Sequence, residues 1–351
     1  MSQETAALVR DAYQAITQRL SRRIVGMEDV TRLLITSVFA DGHALLVGVP
    51  GLAKTLLVSS MAELLDLSFS RIQFTPDLMP SDITGAEVIV EDKTTGERRF
   101  EFLKGPLFSH VILADEINRT PPKTQAALME AMEEHQVSSL GRRFELEEPF
   151  FVLATQNPIE QEGTYPLPAA QLDRFLFEIN VDYPAENEEE QIVRQTTRPH
   201  DDALEPVLGK DAVLEIVRAV RSLPVPEDIA RYATTIARRS RPDEEASPAI
   251  VTKYVSFGAG PRAAQALVNG AKVLAMMRGE TRPTHADVRT LTGPVLRHRI
   301  VSNFLAAADG VPVEDIIRGI TDSVPAPDFH PEPPTTKKKK GLFAFFAKNA
   351  K

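Results

Sequence analysis

The sequence predicts an α/β domain with a mainly parallel sheet, followed by a smaller all-helical domain. Short apolar runs alternate with helical patterns across residues 40–185, which is typical of strands joined by crossover helices. After Tyr183-Pro184 the strand-like runs stop, and residues 186–320 show helical stretches interrupted by prolines. At about 150 residues per domain, a chain of 351 residues also has the length for two domains.

The composition narrows the class of protein further. The chain has no cysteine, which excludes disulfides, a thiol nucleophile and thiolate metal sites. Its formal charge of −9 disfavours a general nucleic-acid-coating function. The first residues lack the basic start and apolar core of a signal peptide, and no apolar run reaches about 18 residues. We therefore expect a cytoplasmic protein without a membrane-spanning segment.

The elements of the first domain follow from the spacing of apolar residues. Val9, Tyr13, Ile16 and Leu20 are spaced as one stripe of an amphipathic helix. Residues 44–49 form a continuous apolar run that ends next to Pro-Gly, as expected for a buried parallel strand. Further strands are predicted at 111–113, 150–154 and 175–181, and helices at 54–67 and 122–135.

Residues 48–55, GVPGLAKT, lie between the first predicted strand and the next helix. A loop in this position can direct backbone N–H groups and a helix N-terminus at phosphate oxygens. Lys54 would neutralise the β- and γ-phosphates, and the Thr55 hydroxyl would bind Mg²⁺. Ala53 stands where the strict pattern has glycine, so a plain Gly/Pro turn is the alternative. The segment therefore predicts a nucleotide-binding loop.

Asp115 and Glu116 follow a second apolar strand. A carboxylate at the carboxyl end of a strand lies in the crevice where α/β sheets bind ligands. Asp115 could hold Mg²⁺, usually through its water, and Glu116 could orient and polarise the attacking water. The alternative is a helix cap after the strand. Together with the phosphate loop, the acidic pair predicts ATP hydrolysis.

Three further polar residues could complete this site. Asn157 ends another strand and could hold the attacking water or the γ-phosphate, although Asn157-Pro158 also fits a simple turn. Arg174 precedes the last strand and could contact the γ-phosphate of a neighbouring subunit, or could pair with Asp173 at the surface. Arg262 opens a helix in the second domain and could reach the same phosphates, or could be solvated at a capped helix start.

With these residues in place, the sequence resembles the MoxR family of AAA+ ATPases. The resemblance covers about residues 1–320. It implies an AAA+ P-loop core with a five-stranded sheet over 1–188 and a helical lid over 189–322. The motifs that carry it are GVPGLAKT (48–55), LADEINRTPPKTQAALMEAMEEHQV (113–137), FVLATQNPIEQEGTYPLPAAQLDRF (151–175) and GPR (260–262).

The resemblance also implies roles for single residues. The phosphate loop would be Walker A, and Asp115-Glu116 would be Walker B, with Thr55 and Asp115 at Mg²⁺. The implied catalytic residues are Glu116, Lys54, the sensor-1 residue Asn157, the arginine finger Arg174 and the sensor-2 residue Arg262. The implied ATP contacts are Val25, Gly26, Gly48, Val49, Pro50, Gly51, Leu52, Ala53, Lys54, Thr55 and Leu56.

Two insertions fit the same family. Residues 78–106, with a hairpin-like tip at 94–96, resemble the helix-2 insert of this AAA+ branch. Residues 137–150 resemble the hairpin that precedes sensor 1. In ring-forming relatives such elements face the pore or the substrate, and ordinary exposed loops are the alternative.

The family implies a cytoplasmic homo-oligomeric ring, usually a hexamer, that uses ATP to remodel, activate or insert a cofactor into client proteins. A partner with a von Willebrand factor A domain often accompanies it. A nucleic-acid-stimulated motor is one alternative, which the acidic charge disfavours but Arg142 and Arg143 at a possible pore hairpin keep open. A nucleotide switch that acts by binding alone is the other, which the intact Asp115-Glu116 pair disfavours.

The end of the chain differs from the rest in composition. Residues 323–336 are rich in proline and read as an extended linker within a tail that runs to residue 351. From residue 331 the formal charge is +5, against −14 for the remaining 330 residues. Residues 337–351 combine lysines with leucine and phenylalanine. They could be a disordered tail, could contact a membrane peripherally, or could dock in a partner's groove.

Overall fold

The computed structural model describes residues 3–91, 98–139, 141–159, 163–197 and 203–326. Contacts between Cα atoms divide the chain into two units. One is an α/β unit, Ala7–Arg221, and the other is a helical unit that begins at Ser222 and includes the first six residues. The domain boundary between 188 and 189 stays a prediction. The hairpin tip at 94–96 and the tail beyond residue 326 lie outside the described residues.

Residues 3–222 contain both helices and strands. The helices are α1 (Gln3–Leu20), α2 (Glu28–Phe39), α3 (Lys54–Leu64), α4 (Pro80–Thr84), α5 (Pro122–Glu134), α6 (Ala169–Leu172), α7 (Glu186–Thr196) and α8 (Lys210–Ser222). The strands are β1 (His43–Val47), β2 (Phe69–Gln73), β3 (Gly85–Glu91), β4 (Arg98–Lys104), β5 (Val111–Asp115), β6 (Gln136–Ser139), β7 (Arg142–Glu145), β8 (Phe151–Gln156) and β9 (Phe175–Asn180).

Within the described residues, five strands form one sheet in the order β2-β5-β8-β1-β9. Every neighbouring pair in it is parallel. The inner strands β1, β5 and β8 are buried along almost their whole length, which explains their continuous apolar runs. On one face, Ile112 and Val152 pack with Leu128 and Met132 of α5 in the apolar core. The prediction of a five-stranded, mainly parallel sheet is confirmed.

β2 is the strand that apolar spacing does not predict. It lies at an edge of the sheet and pairs with β5 alone, so of its five residues, FSRIQ, only Ile72 is fully buried. The register sets Arg71 opposite Leu113 and Gln73 opposite Asp115. Two polar side chains of β2 therefore reach the carboxyl end of β5.

Two antiparallel hairpins, β3–β4 and β6–β7, occupy the predicted insertions. Phe102 of β4 stacks on Phe144 of β7 with ring centroids 4.1 Å apart, and Phe108 packs edge-on against both. Arg142 lies 3.9 Å from the Glu87 carboxylate, and its guanidinium lies over the Phe144 ring. The two hairpins therefore pack on each other through an aromatic cluster and an ion pair.

The helical unit confirms the predicted helical lid and adds a short antiparallel ribbon. Its central helix is buried on nearly every side, and its alanines and glycine let neighbouring helices approach closely. None of the described helices is long and apolar enough to cross a membrane. The elements are α9 (Glu227–Arg239), α10 (Ala249–Tyr254), β10 (Val255–Phe257), the central α11 (Pro261–Met277), α12 (His285–Thr290), α13 (Thr292–Leu296), β11 (Val301–Ser302), α14 (Phe304–Ala308) and α15 (Val313–Ser323).

Candidate functional site

The loop between β1 and α3 has a backbone suited to anion binding. Gly51 has a φ of +85°, and Ala53, the residue before α3, is left-handed with a φ of 51°. Glycine is the residue that adopts such angles without strain. Alanine in place of the glycine of the strict pattern therefore has a cost in backbone energy at position 53. Gly48 is needed for packing, since a Cβ there would lie 2.5 Å from the carbonyl oxygen of Val181. The loop thus delivers the N-terminus of α3, where unpaired N–H groups and the helix dipole favour an anion.

Lys54 opens α3, and its ammonium turns back onto the loop. It donates hydrogen bonds to the carbonyl oxygens of Gly48 and Val49. Burial lowers the pKa of Lys54, while the charges of Asp115 and Glu116 act in the opposite direction. The positive charge is therefore held by the loop's own carbonyl oxygens, which are weaker partners than a phosphate.

Thr155, which sequence reasoning did not identify, fixes the acidic pair at the end of β5. Its hydroxyl donates to Asp115 Oδ1 at 2.6 Å and accepts from the backbone N–H of Glu116 at 2.9 Å. Glu116 itself has a left-handed backbone with a φ of 57°, which turns its side chain away from the strand direction. One hydroxyl on the neighbouring strand β8 thus holds the Asp115 carboxylate and the backbone of Glu116.

Three more polar side chains hold these carboxylates, and the sequence motifs pointed to none of them. Arg71 donates to Asp115 Oδ2 from Nε at 3.0 Å and from Nη2 at 2.7 Å. Gln73 donates to Glu116 Oε2 at 2.7 Å, and Arg119 donates to the same oxygen at 2.9 Å. The signal that could have found Arg71 and Gln73 is the polar alternation of β2 once that strand is placed beside β5.

A cavity of about 520 Å³ joins the loop to the acidic pair. It brings together the predicted residues Lys54, Thr55, Asp115, Glu116 and Asn157. Thr55 and Asp115 offer hydroxyl and carboxylate oxygens, the donors that Mg²⁺ prefers, so the residues fit a magnesium ion beside a phosphate chain. The remaining lining residues are Pro50, Gly51, Leu52, Ala53, Leu56, Arg71, Gln73 and Thr155.

A second, largely apolar cavity adjoins the first. The two share Gly51, Leu52, Ala53 and Leu56, so one elongated ligand could occupy both. The predicted residues Val25 and Gly26 lie here, whereas Gly48 and Val49 line neither cavity and contribute carbonyl oxygens to Lys54 instead. An apolar slot beside a phosphate-binding loop fits the base of a nucleotide. The other lining residues are Arg23, Ile24, Met27, Asp182, Pro184, Ile192, Gln195 and Thr196.

The three remaining candidates occupy different places. Asn157 is buried at the edge of the first cavity, where its Oδ1 accepts from the backbone N–H of Ile159 at 3.1 Å. Arg174 lines neither cavity, and it forms an ion pair with Glu133 of α5 beside a separate surface cavity. Arg262 lies in the first turn of α11 in the helical unit. Of the predicted catalytic and metal-binding residues in the α/β unit, all except Arg174 therefore line the first cavity.

Two family profiles match the chain. Residues 43–177 match the family described as ATPase family associated with various cellular activities (AAA). Residues 247–320 match the family described as AAA lid domain. The first match contains the phosphate loop, the acidic pair and Arg174, and the second contains Arg262.

Individual proteins are similar over nearly the whole chain. Chaperone MoxR1 of Mycobacterium tuberculosis (strain ATCC 25618 / H37Rv) is 39% identical, over 93% of this chain and 85% of that protein. The uncharacterized protein YeaC of Bacillus subtilis (strain 168) is 40% identical, over 88% of this chain and 93% of that protein. A crystal structure of a provisionally described ATPase from Cytophaga hutchinsonii ATCC 33406 superposes with a TM-score of 0.85 at 37% identity, covering 92% of this chain and 97% of that one.

Proposed function

The chain belongs to the MoxR family of AAA+ ATPases, and from this premise we propose that it hydrolyses ATP to ADP and phosphate in a Mg²⁺-dependent reaction that drives the remodelling of client proteins. The observation that carries the proposal is the convergence of Lys54, Thr55, Asp115, Glu116 and Asn157 on one cavity. Those residue types supply a cation for phosphate, two oxygen ligands for a metal, a base for water and an amide beside it.

Binding requires the chain to exchange internal partners for the ligand. Lys54 leaves the carbonyl oxygens of Gly48 and Val49 and pairs with the phosphates, where its charge is better satisfied. The N-terminus of α3 directs its free N–H groups at the same phosphates. Thr55 and Asp115 would hold Mg²⁺, which would supply positive charge that offsets the charge of the phosphate chain.

Glu116 is the residue to which we assign the water-activating role. A general base must accept a proton from water, so its carboxylate oxygen must become available. Gln73 and Arg119 both donate to Glu116 Oε2 and hold the carboxylate in place, so we assign the other oxygen, Oε1, to the water. Asn157, which lines the same cavity, then holds the water or the γ-phosphate.

Arg174 is proposed to act on the site of a neighbouring subunit in a homo-oligomeric ring, usually a hexamer in this family. Its position outside the cavity of its own chain supports this role, since it cannot contribute there without a large movement. An arginine that reaches a γ-phosphate from a neighbour stabilises the charge of the transition state. Arg262 keeps its sensor-2 role as a prediction from the family resemblance.

The chaperone-like role comes from the relatives. Chaperone MoxR1 bears that activity in its name, and the match covers most of both chains. By analogy with the family, we propose that this chain acts on a client protein, works with a partner that has a von Willebrand factor A domain, and is located in the cytoplasm. The nucleic-acid motor remains the alternative: Arg143 is exposed on β7, whereas Arg142 pairs with Glu87 and lies over the Phe144 ring.

The test is the substitution Glu116→Gln, which keeps the shape of the side chain and removes its basicity. We expect ATP binding to persist and kcat to fall by about 10²-fold or more, the usual contribution of a positioned base. The matched control is Glu215→Gln, which makes the same chemical change at an exposed position of α8. Steady-state phosphate release and equilibrium ATP binding are measured on all three proteins. Normal turnover by Glu116→Gln would remove Glu116 from its assigned role.

A further inference from the structure

Arg71 occupies an unexpected place for a cation. It extends from the edge strand β2, and two of its nitrogens donate hydrogen bonds to the carboxylate of Asp115, at 3.0 Å and 2.7 Å. The Asp115 side chain is only 13% exposed, whereas Arg71 is 47% exposed on the cavity side. A single half-exposed guanidinium thus covers the carboxylate that is the candidate metal ligand.

Both oxygens of Asp115 already have partners. Oδ1 accepts from the Thr155 hydroxyl, and Oδ2 accepts the two bonds from Arg71. A hydroxyl is neutral and can stay beside a metal-bound carboxylate, whereas a guanidinium competes with a metal ion because both are cations. A divalent ion that needs the charge of Asp115 must therefore displace Arg71 or accept a weakened ligand.

We propose that Arg71 is a positioning residue that holds Asp115 in the nucleotide-free protein and transfers its guanidinium to the phosphate oxygens of the nucleotide when a divalent cation takes the carboxylate. The proposal rests on the proposed ATPase function of the same site. Arg71 lines the cavity that also holds Lys54 and Thr55, so the phosphates lie within its surroundings. Its planar fork of donors fits phosphate oxygens as well as it fits a carboxylate.

The same movement is linked to Glu116 through one side chain. Arg71 Nη2 donates to Gln73 Oε1 at 2.6 Å, and the amide nitrogen of Gln73 donates to Glu116 Oε2 at 2.7 Å. While Arg71 stays on Asp115, it fixes the orientation of the Gln73 amide and so keeps Gln73 bonded to Glu116. Departure of Arg71 frees that amide to rotate. Metal binding at Asp115 and loss of the Gln73–Glu116 contact are thereby coupled, while Arg119 still donates to the same oxygen of Glu116.

The first measurement uses Mn²⁺ alone, in the nucleotide-free full-length protein, followed by the loss of the free-Mn²⁺ paramagnetic resonance signal. Arg71→Ala should bind Mn²⁺ about tenfold more tightly than wild type, the scale of one charge-assisted hydrogen-bonded partner removed. Arg71→Lys, which keeps the charge without the fork, should lie between them. Adding Asp115→Asn to Arg71→Ala should abolish the gain. Mn²⁺ affinity in Arg71→Ala no tighter than in wild type overturns the proposal.

The second measurement compares the affinities for the non-hydrolysable analogue AMP-PNP and for ADP at saturating Mg²⁺. Wild type should prefer AMP-PNP, and Arg71→Ala should lose about tenfold of that preference, because Arg71 no longer reaches the terminal phosphate. The control is Arg98→Ala, an equal charge change at an exposed position of β4, which should match wild type in both measurements. An unchanged preference in Arg71→Ala overturns the transfer to phosphate. Failure of wild type to bind either nucleotide would instead count against the ATPase proposal itself.

Discussion

The two ends of strand β1 hold their ionisable groups in opposite ways. At the amino end, the ring of His43 is buried, donates from Nε2 to the carbonyl oxygen of Met132 and accepts at Nδ1 from the N–H of Val152. Beyond the carboxyl end, Lys54 rests on carbonyl oxygens of its own loop, and Asp115 and Glu116 rest on neighbouring side chains. The first environment is built from backbone atoms of α5 and β8, and the second from groups that can move.

This difference separates a structural site from a reactive one. Burial lowers the pKa of His43 to about 4, so the ring stays neutral, with backbone partners that no ligand can replace. At the carboxyl edge of the sheet, Lys54 is paired with loop carbonyl oxygens, and Asp115 and Glu116 are paired with side chains. A phosphate or a metal ion can take the place of these partners at little cost. We therefore expect substitution of His43 to affect stability, and substitution of the charged residues at the carboxyl edge to affect turnover.

The largest expected effect concerns Arg174, a charged residue whose partner can be exchanged. Arg174 is held by Glu133, a partly exposed side chain, so it can leave its partner. Arg174→Ala should keep ATP binding and lower kcat by about 10³-fold, the lower end of the contribution of a finger arginine. The melting temperature should change little, because a partly exposed ion pair contributes little to stability.

The control for Arg174→Ala is Arg194→Ala, which breaks an exposed ion pair with Glu190 on α7. Both variants are assayed for phosphate release and for melting temperature at the same protein concentration. Hydrolysis by Arg174→Ala at the wild-type rate would remove Arg174 from its catalytic role, and Arg174 would then belong with the structural groups.

A smaller effect is expected for the buried His43 at the amino end of β1. The pKa of His43 is lower in the folded protein than its ordinary value of 6.5, so the unfolded chain takes up a proton first as the pH falls. The stabilisation is therefore complete above pH 6.5 and declines as the pH falls toward 4. Between pH 7 and pH 5 the free energy of unfolding should drop by about 2 kcal/mol from this group.

His43→Gln cannot gain this proton, so its stability should decline less between pH 7 and pH 5. The nearby His135 ring, 6.5 Å from His43, is present in both proteins, so its own protonation contributes to both declines. Urea unfolding at the two pH values gives the difference. Parallel declines in the two proteins would mean that His43 is not the group whose protonation destabilises the fold.

The sequence was most informative where the functional residues are contiguous. The loop 48–55 and the pair Asp115-Glu116 each combine an apolar strand with its polar end, so strand position and chemistry were predicted together. Asn157 followed from the same logic at the end of β8. These residues lie at one edge because parallel strands present all their carboxyl ends there.

The partners of the acidic pair could not be predicted in the same way. Arg71 and Gln73 lie on the edge strand β2, which has one fully buried residue and therefore no apolar run to recognise in the sequence. They lie beside β5 because of the order of strands in the sheet, which the sequence does not show. Arg119 is close in sequence to Glu116, but its contact depends on the left-handed turn at Glu116. Pairing across strands is a tertiary feature, and nothing in the residue type of Glu116 signals its left-handed backbone.

The most direct test of the account mixes two inactive variants. Glu116→Gln supplies a normal Arg174, and Arg174→Ala supplies a normal Glu116. If Arg174 acts on the neighbouring subunit, mixing the two proteins before adding ATP creates sites that contain both residues, and turnover should reappear well above that of either variant alone. A mixture as inactive as its components, in assemblies shown to exchange subunits, would contradict the shared-site mechanism.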